Sequence, residues 1–137
     1  LETVLQSETS KITELDIDRR YTRQHVSIRG LTWVLRALAC RPIFTELGLR
    51  YCPLNRDEVG LLQLALRNIP SLQTLNLVRN SLGSDGLAEL APALYCNTSI
   101  KELDISNNSL DDMESTKVLR DILRNNKTMI TLDLSRN

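Results

Sequence analysis

One six-residue pattern returns along this chain at nearly constant intervals, and that recurrence limits the fold more than any other feature. Four segments align: Phe44-Thr-Glu-Leu47-Gly-Leu49, Leu72-Gln-Thr-Leu75-Asn-Leu77, Ile100-Lys-Glu-Leu103-Asp-Ile105 and Met129-Ile-Thr-Leu132-Asp-Leu134. A fifth, Ile12-Thr-Glu-Leu15-Asp-Ile17, precedes them. The equivalent leucines, Leu15, Leu47, Leu75, Leu103 and Leu132, are 32, 28, 28 and 29 residues apart. Beyond each of the last four cores, the third residue is Cys52, Asn80, Asn108 or Asn137, and Leu54, Leu82 and Leu110 follow the first three.

Apolar residues spaced three and then two apart give a short strand with one inward row. The Asn or Cys that follows is small and polar enough to bond backbone groups of neighbouring coils, so stacked copies form a ladder, and Cys52 replaces the amide with a thiol that tolerates burial. The second half of each repeat has helical spacing: Val59, Leu62 and Leu66 share a face, as do Leu87, Leu90 and Leu94, then Leu119, Ile122 and Leu123. Asn55-Arg-Asp-Glu58 and Asp111-Asp-Met-Glu114 have the form of capping boxes at or near helix starts. A strand-plus-helix unit of this size cannot bury its apolar face alone, and stacking buries it against the next unit. With aromatics at only 4% of residues, aliphatic side chains, mostly leucine, must fill the core.

The pattern resembles the leucine-rich repeat, L-x-x-L-x-L-x-x-N/C-x-L. The 28-residue step, with Asn80-Ser-Leu-Gly-Ser-Asp-Gly-Leu-Ala-Glu-Leu-Ala-Pro-Ala-Leu94, is similar to the ribonuclease-inhibitor subclass. That subclass includes RanGAP, the sensors of NOD-like receptors, and the actin regulators tropomodulin and CARMIL. The resemblance implies an α/β fold: a right-handed solenoid, or horseshoe segment, with parallel strands on the concave face and helices on the convex face. Residues 1–137 are then expected to form a single leucine-rich repeat domain of four to five repeats, a fragment of a longer array. The first repeat is four residues longer, and its strand runs into Asp18-Arg19-Arg20-Tyr21-Thr22-Arg23-Gln24-His25 with no ladder Asn or Cys. That is expected as an irregularity, with an elaborated contact loop as the alternative. The chain starts in a helix-like stretch around Val4-Leu5, and neither end shows a polar cap.

Signals for chemistry are few. Seventeen basic residues balance seventeen acidic ones, which argues against a dedicated nucleic-acid binder. No apolar run approaches the ~20 residues of a membrane span, and no signal peptide is visible. His25 is the single histidine and has no nucleophile beside it in a motif, so no catalytic residue is expected. Phosphate-binding glycine loops are missing, and Gly83-Ser-Asp-Gly86 fits a strand-to-helix turn. Cys40, Cys52 and Cys96 lack zinc spacing, so neither metal nor cofactor is expected. Their odd number favours free thiols in a reducing, cytoplasmic setting. The sequons at Asn97, Asn107 and Asn126 follow from Asn/Ser/Thr-rich turns. Arg19, Arg20, Arg23, Arg50 and Arg79 are candidates for a GTPase-activating arginine by residue type alone.

Side-chain alternation places the third, fifth and seventh positions of each core on the concave side. The columns read Glu14, Glu46, Thr74, Glu102, Thr131; then Asp16, Gly48, Asn76, Asp104, Asp133; then Asp18, Arg50, Val78, Ser106, Ser135. Seven of the fifteen are acidic and one is basic. Asp104 and Asp133 are expected as near neighbours that repel each other unless a cation intervenes. The eighth position forms a rim of Arg19, Tyr51, Arg79, Asn107 and Arg136. An acidic groove bordered by arginines and a tyrosine suits protein docking, and solvation alone is the competing explanation. The expected function is a non-enzymatic scaffold that binds a protein with a basic surface through the concave face (Glu14, Asp16, Asp18, Glu46, Arg50, Glu102, Asp104, Asp133) and the rim (Arg19, Tyr51, Arg79, Arg136). Neither nucleic acid nor membrane is an expected partner, and the uncapped termini leave end-to-end self-association open. The alternatives are a RanGAP-like regulator of a small GTPase, or a ligand-sensing segment of a NOD-like or Roco-type switch protein.

Overall fold

The computed structural model describes residues 13–20, 28–39 and 43–137. The readings on Val4, Leu5, Ile12, Tyr21, Arg23, His25 and Cys40 lie outside the described residues. Strands and helices alternate: β1 (Glu14–Asp18), α1 (Ile28–Ala39), β2 (Glu46–Arg50), α2 (Arg56–Asn68), β3 (Thr74–Asn76), α3 (Gly83–Cys96), β4 (Glu102–Asp104), α4 (Met113–Asn125) and β5 (Thr131–Asp133). The five strands form one parallel sheet in chain order. Its register aligns the repeat with itself: Leu15, Leu47, Leu75, Leu103 and Leu132 are successive partners. Each helix packs on the next along the other side of the stack. This is an α/β leucine-rich-repeat solenoid, as the spacing predicts.

The inward row forms a continuous aliphatic core. Leu49, Leu75, Leu77, Leu72, Ile100 and Ile105 are fully buried, as are Leu62, Leu87, Leu90 and Leu94 from the helices. Polar groups at the turn are satisfied by the ladder. The Asn108 side chain accepts from Asn80 N–H (3.0 Å) and Leu82 N–H (3.3 Å), and it donates to Leu77 C=O (2.8 Å) and Ser106 C=O (3.1 Å). Asn80 accepts from Cys52 N–H (2.7 Å) and donates to Leu49 C=O (2.6 Å). Asn137 accepts from Asn108 N–H and donates to Ile105 C=O. Each asparagine thus reaches back to the preceding repeat.

Cys52 can occupy a ladder position because the first repeat asks less of it. At the equivalent site, Arg20 N–H donates to the Asp18 carboxylate (3.0 Å), so no acceptor is needed from the second repeat. A thiol suffices as a weak donor, toward Arg50 C=O at 3.3 Å and Ile17 C=O at 3.8 Å. Burial pushes its pKa up to about 11.

The capping box at α2 forms as its sequence predicts: Asn55 accepts from Glu58 N–H and Glu58 accepts from Asn55 N–H. The box at α4 is displaced by one residue. Asp112, not Asp111, is the N-cap and accepts from Ser115 N–H (2.6 Å), while Glu114 pairs with Lys117. The inward stripe is Ser115, Val118 and Ile122. Leu119 is consequently only half-buried and Leu123 is exposed, so the expected third helix face is corrected. A second turn network joins helices to strands. Asn126, buried, donates to Leu94 C=O (2.8 Å) and accepts from Thr128 and Met129 N–H. Asn97 accepts from Ser99 and Ile100 N–H. The sequons at Asn97 and Asn126 therefore encode turns.

Candidate functional site

The concave face is built by the outward side chains of the five strands, and its two halves differ in charge. Around β1 and β2 the two aspartates have cationic partners. Asp18 receives the Arg20 guanidinium at 2.6 Å, and that contact holds its carboxyl below the usual carboxylate range. Asp16 lies 3.7 Å from Arg50. Gly48, across from Asp16 in the register, makes this possible. A Cβ at Gly48 would stand 2.3 Å from an Asp16 carboxylate oxygen, so the missing side chain is the space Asp16 occupies. Gly48 is buried beneath it rather than part of an open surface. Glu14 and Glu46 are exposed and adjacent.

Around β3 to β5 the arrangement is different. Thr74, Asn76, Glu102, Asp104, Thr131 and Asp133 line a shallow concavity of about 250 Å³. No ion pair reaches Glu102, Asp104 or Asp133 among the described residues. Asn76 bridges toward Asp104 at 3.4 Å. The fifth-position side chains also turn onto their own backbones: Asn76, Asp104 and Asp133 accept from Val78, Ser106 and Ser135 N–H at 3.1, 3.0 and 2.8 Å. The Ser135 N–H holds the Asp133 carboxyl below the ordinary range, so this carboxylate is stabilised in place without a cation. Ser106 is buried, which corrects its expected place on the open surface. Among the described residues, no group of three or more His, Cys, Asp or Glu could hold a metal ion.

The rim has a geometry that the sequence does not announce. Tyr51, Arg79, Asn107 and Arg136 all adopt left-handed backbone with φ of 55–57°, and Arg19 at the matching position is not among them. The ladder continues through their N–H groups, which donate to Val78, Ser106 and Ser135 C=O at 2.9, 3.1 and 3.0 Å for the first three. Tyr51 lies between two guanidinium groups, Arg20 at 4.3 Å and Arg79 at 5.1 Å from its ring centroid. Arg20 is thus a rim residue that column-reading missed, because the turn of the first repeat shifts its side chain onto the next repeat's tyrosine. Beyond Arg79 the rim opens into a depression of about 420 Å³ lined by Arg79, Ser81, Asn107, Ser109, Asp111 and Arg136. Of the arginines considered for GTPase activation, Arg20 and Arg50 are ion-paired and Arg79 is stacked on Tyr51.

Comparison with known proteins agrees with this architecture. The family described as Leucine Rich repeat matches residues 68–91 and 96–112. A Tonsoku-like protein of Bos taurus is 37% identical over 107 residues, which is 76% of this chain and 8% of that protein. A protein phosphatase 1 regulatory subunit 37 homolog of Caenorhabditis elegans is 28% identical over 116 residues, 83% of this chain and 12% of that protein. The chain therefore spans only a small part of the length of these curated relatives. Among solved structures, leiomodin-1 actin-binding site 2 superposes with a TM-score of 0.81 at 18% identity, covering 97% of this chain and 75% of that one. The tropomodulin C-terminal domain of Caenorhabditis elegans gives 0.74 at 19% identity, covering 97% and 79%. At these identities the structural likeness concerns the fold. Repeat spacing, strand register, asparagine ladder and these matches together make the chain a leucine-rich-repeat protein of the ribonuclease-inhibitor-like kind.

Proposed function

We propose that this chain is a non-enzymatic scaffold that docks a protein partner on its concave face, with the β3–β5 half as the contact and Lys or Arg as the partner's matching groups. The observation that supports it is the unpaired set Glu102, Asp104 and Asp133 beside a half in which Asp16 and Asp18 already have cations. Burying those three without counter-charges would carry a large desolvation penalty, so a partner must bring them. Arg50, Asp16 and Asp18 then act as a neutral border, and Glu14 and Glu46 as peripheral attraction. The proposal covers a cytoplasmic setting, supported by a buried free thiol at Cys52 that serves the ladder.

A lysine decapeptide is a direct probe. Backbone amides of β4 and β5 should shift on titration in nuclear magnetic resonance, and Asp104→Asn with Asp133→Asn should weaken the effect without lowering the melting temperature. The amide oxygens keep an acceptor for the Ser106 and Ser135 N–H groups, so folding is spared. A convex pair on α4, Arg120→Glu with Arg124→Glu, should leave the titration unchanged. Binding that survives the concave pair and fails with the convex pair would overturn the assignment.

A further inference from the structure

We propose that the rim depression between Arg79, Asn107 and Arg136 is an anion site that receives a carboxylate side chain from an acidic segment of the partner protein. This deepens the scaffold reading and rests on it, but it concerns a different surface and the opposite charge. Three observations carry it. First, neither Arg79 nor Arg136 forms an ion pair among the described residues, whereas the rim guanidinium of Arg20 is clamped bidentately by Asp18. Second, the two arginines stand two strands apart, ~10 Å at the spacing of parallel strands, on either side of the Asn107 side chain and Ser109. A carboxylate between them could take a charge-assisted hydrogen bond from each. Third, the left-handed backbone that the repeat imposes at this position, shared by Tyr51 and Asn107, sets the direction in which both arginine side chains leave the turn, and Asn107 shows that the repeat accepts Asn there.

The Tyr51 ring restrains one of the two arginines. Arg79 lies over it at 5.1 Å, which limits the freedom of the guanidinium before any ligand arrives. Asp111 also lines the depression, and its negative charge lowers anion affinity. Positions five and eight are three residues apart, and because the strand ends at position five their separation is at most ~10 Å. A segment bound across both surfaces would therefore present Lys or Arg to Asp104 and Asp133, and Asp or Glu to the rim within ~10 Å.

The test uses the full 137-residue chain and a glutamate decapeptide, followed by amide shifts at 150 mM salt. The expected result is shifts at Arg79, Ser81, Asn107 and Ser109. Arg79→Asn with Arg136→Asn, which keeps a residue suited to left-handed backbone, should weaken the peptide tenfold or more at an unchanged melting temperature. Asp111→Asn should tighten it severalfold, and Arg120→Asn with Arg124→Asn should leave it alone. Unchanged affinity in the rim pair, or loss in the convex pair, overturns the proposal. A lysine decapeptide that fails to move β4 and β5 while the glutamate peptide binds the rim would sink the concave reading and leave the anion site standing.

Discussion

Replacing Asn108 by Ala isolates the ladder from the leucine core. Asn108 is fully buried, and its amide serves Asn80 N–H, Leu82 N–H and Leu77 C=O across the repeat boundary. Alanine leaves all three without a partner. Ser106 C=O keeps the Arg79 N–H and is not orphaned. An unsatisfied buried backbone group costs about 1–3 kcal/mol, so the sum is about 3–6 kcal/mol once partial entry of water is allowed. That is a large share of the ~5–15 kcal/mol that stabilises a typical domain. Urea denaturation followed by circular dichroism should show the midpoint falling with little change in slope. Asn137→Ala is the internal comparison. It removes the same kinds of bond, to Ile105 C=O and Asn108 N–H, but at a half-buried site where water can substitute, so it should cost clearly less. A loss below about 1 kcal/mol in Asn108→Ala, or equal losses in the two variants, would refute the ladder as a major source of stability.

Leu75 is fully buried with strands on both sides, and Leu75→Ala should cost about 2–5 kcal/mol by denaturation. Its thiol pKa raised to about 11 and its burial should keep Cys52 unmodified at pH 8, while exposed Cys96 reacts; mass spectrometry after alkylation, with and without denaturant, reads the difference. The Ser115 N–H lowers the Asp112 pKa below its ordinary 3.8, so the cap's contribution is complete above that value and is lost as pH falls through the lower folded value. The melting temperature should drop less between pH 5 and pH 2 in Asp112→Asn, which caps without titrating, than in the parent.

The parts of this molecule that were legible in its sequence are those set by periodicity. Leucines at fixed intervals placed the strands and their register, and Asn80, Asn108 and Asn137 gave away the ladder because buried amides must find partners. The capping box at Asn55 was readable for the same local reason. At α4 two adjacent aspartates, Asp111 and Asp112, each offered a cap, and only packing chose between them. The site was harder to see. Columns of side chains say which residues share a face, but not that Asp16 settles over Gly48, that Ser106 turns inward, or that Arg20 crosses to Tyr51. These depend on backbone angles and on what the neighbouring repeat leaves empty. The sequons at Asn97 and Asn126 write turns, as the Asn/Ser/Thr-rich composition of those segments implies.

Because every ladder asparagine reaches toward the repeat before it, closure in this stack has a direction. A repeat lacks its bonding partners until its successor arrives. Take away the successor and backbone N–H and C=O groups at the turn are left bare. Take away the predecessor and the turn is left with an amide side chain and carbonyl groups such as those of Ser106 and Asn108, but no bare N–H, and water satisfies these at small cost. Peeling from the two sides is therefore unequal work: the array is sealed one way, like shingles, and loosening should advance more readily against the overlap than with it.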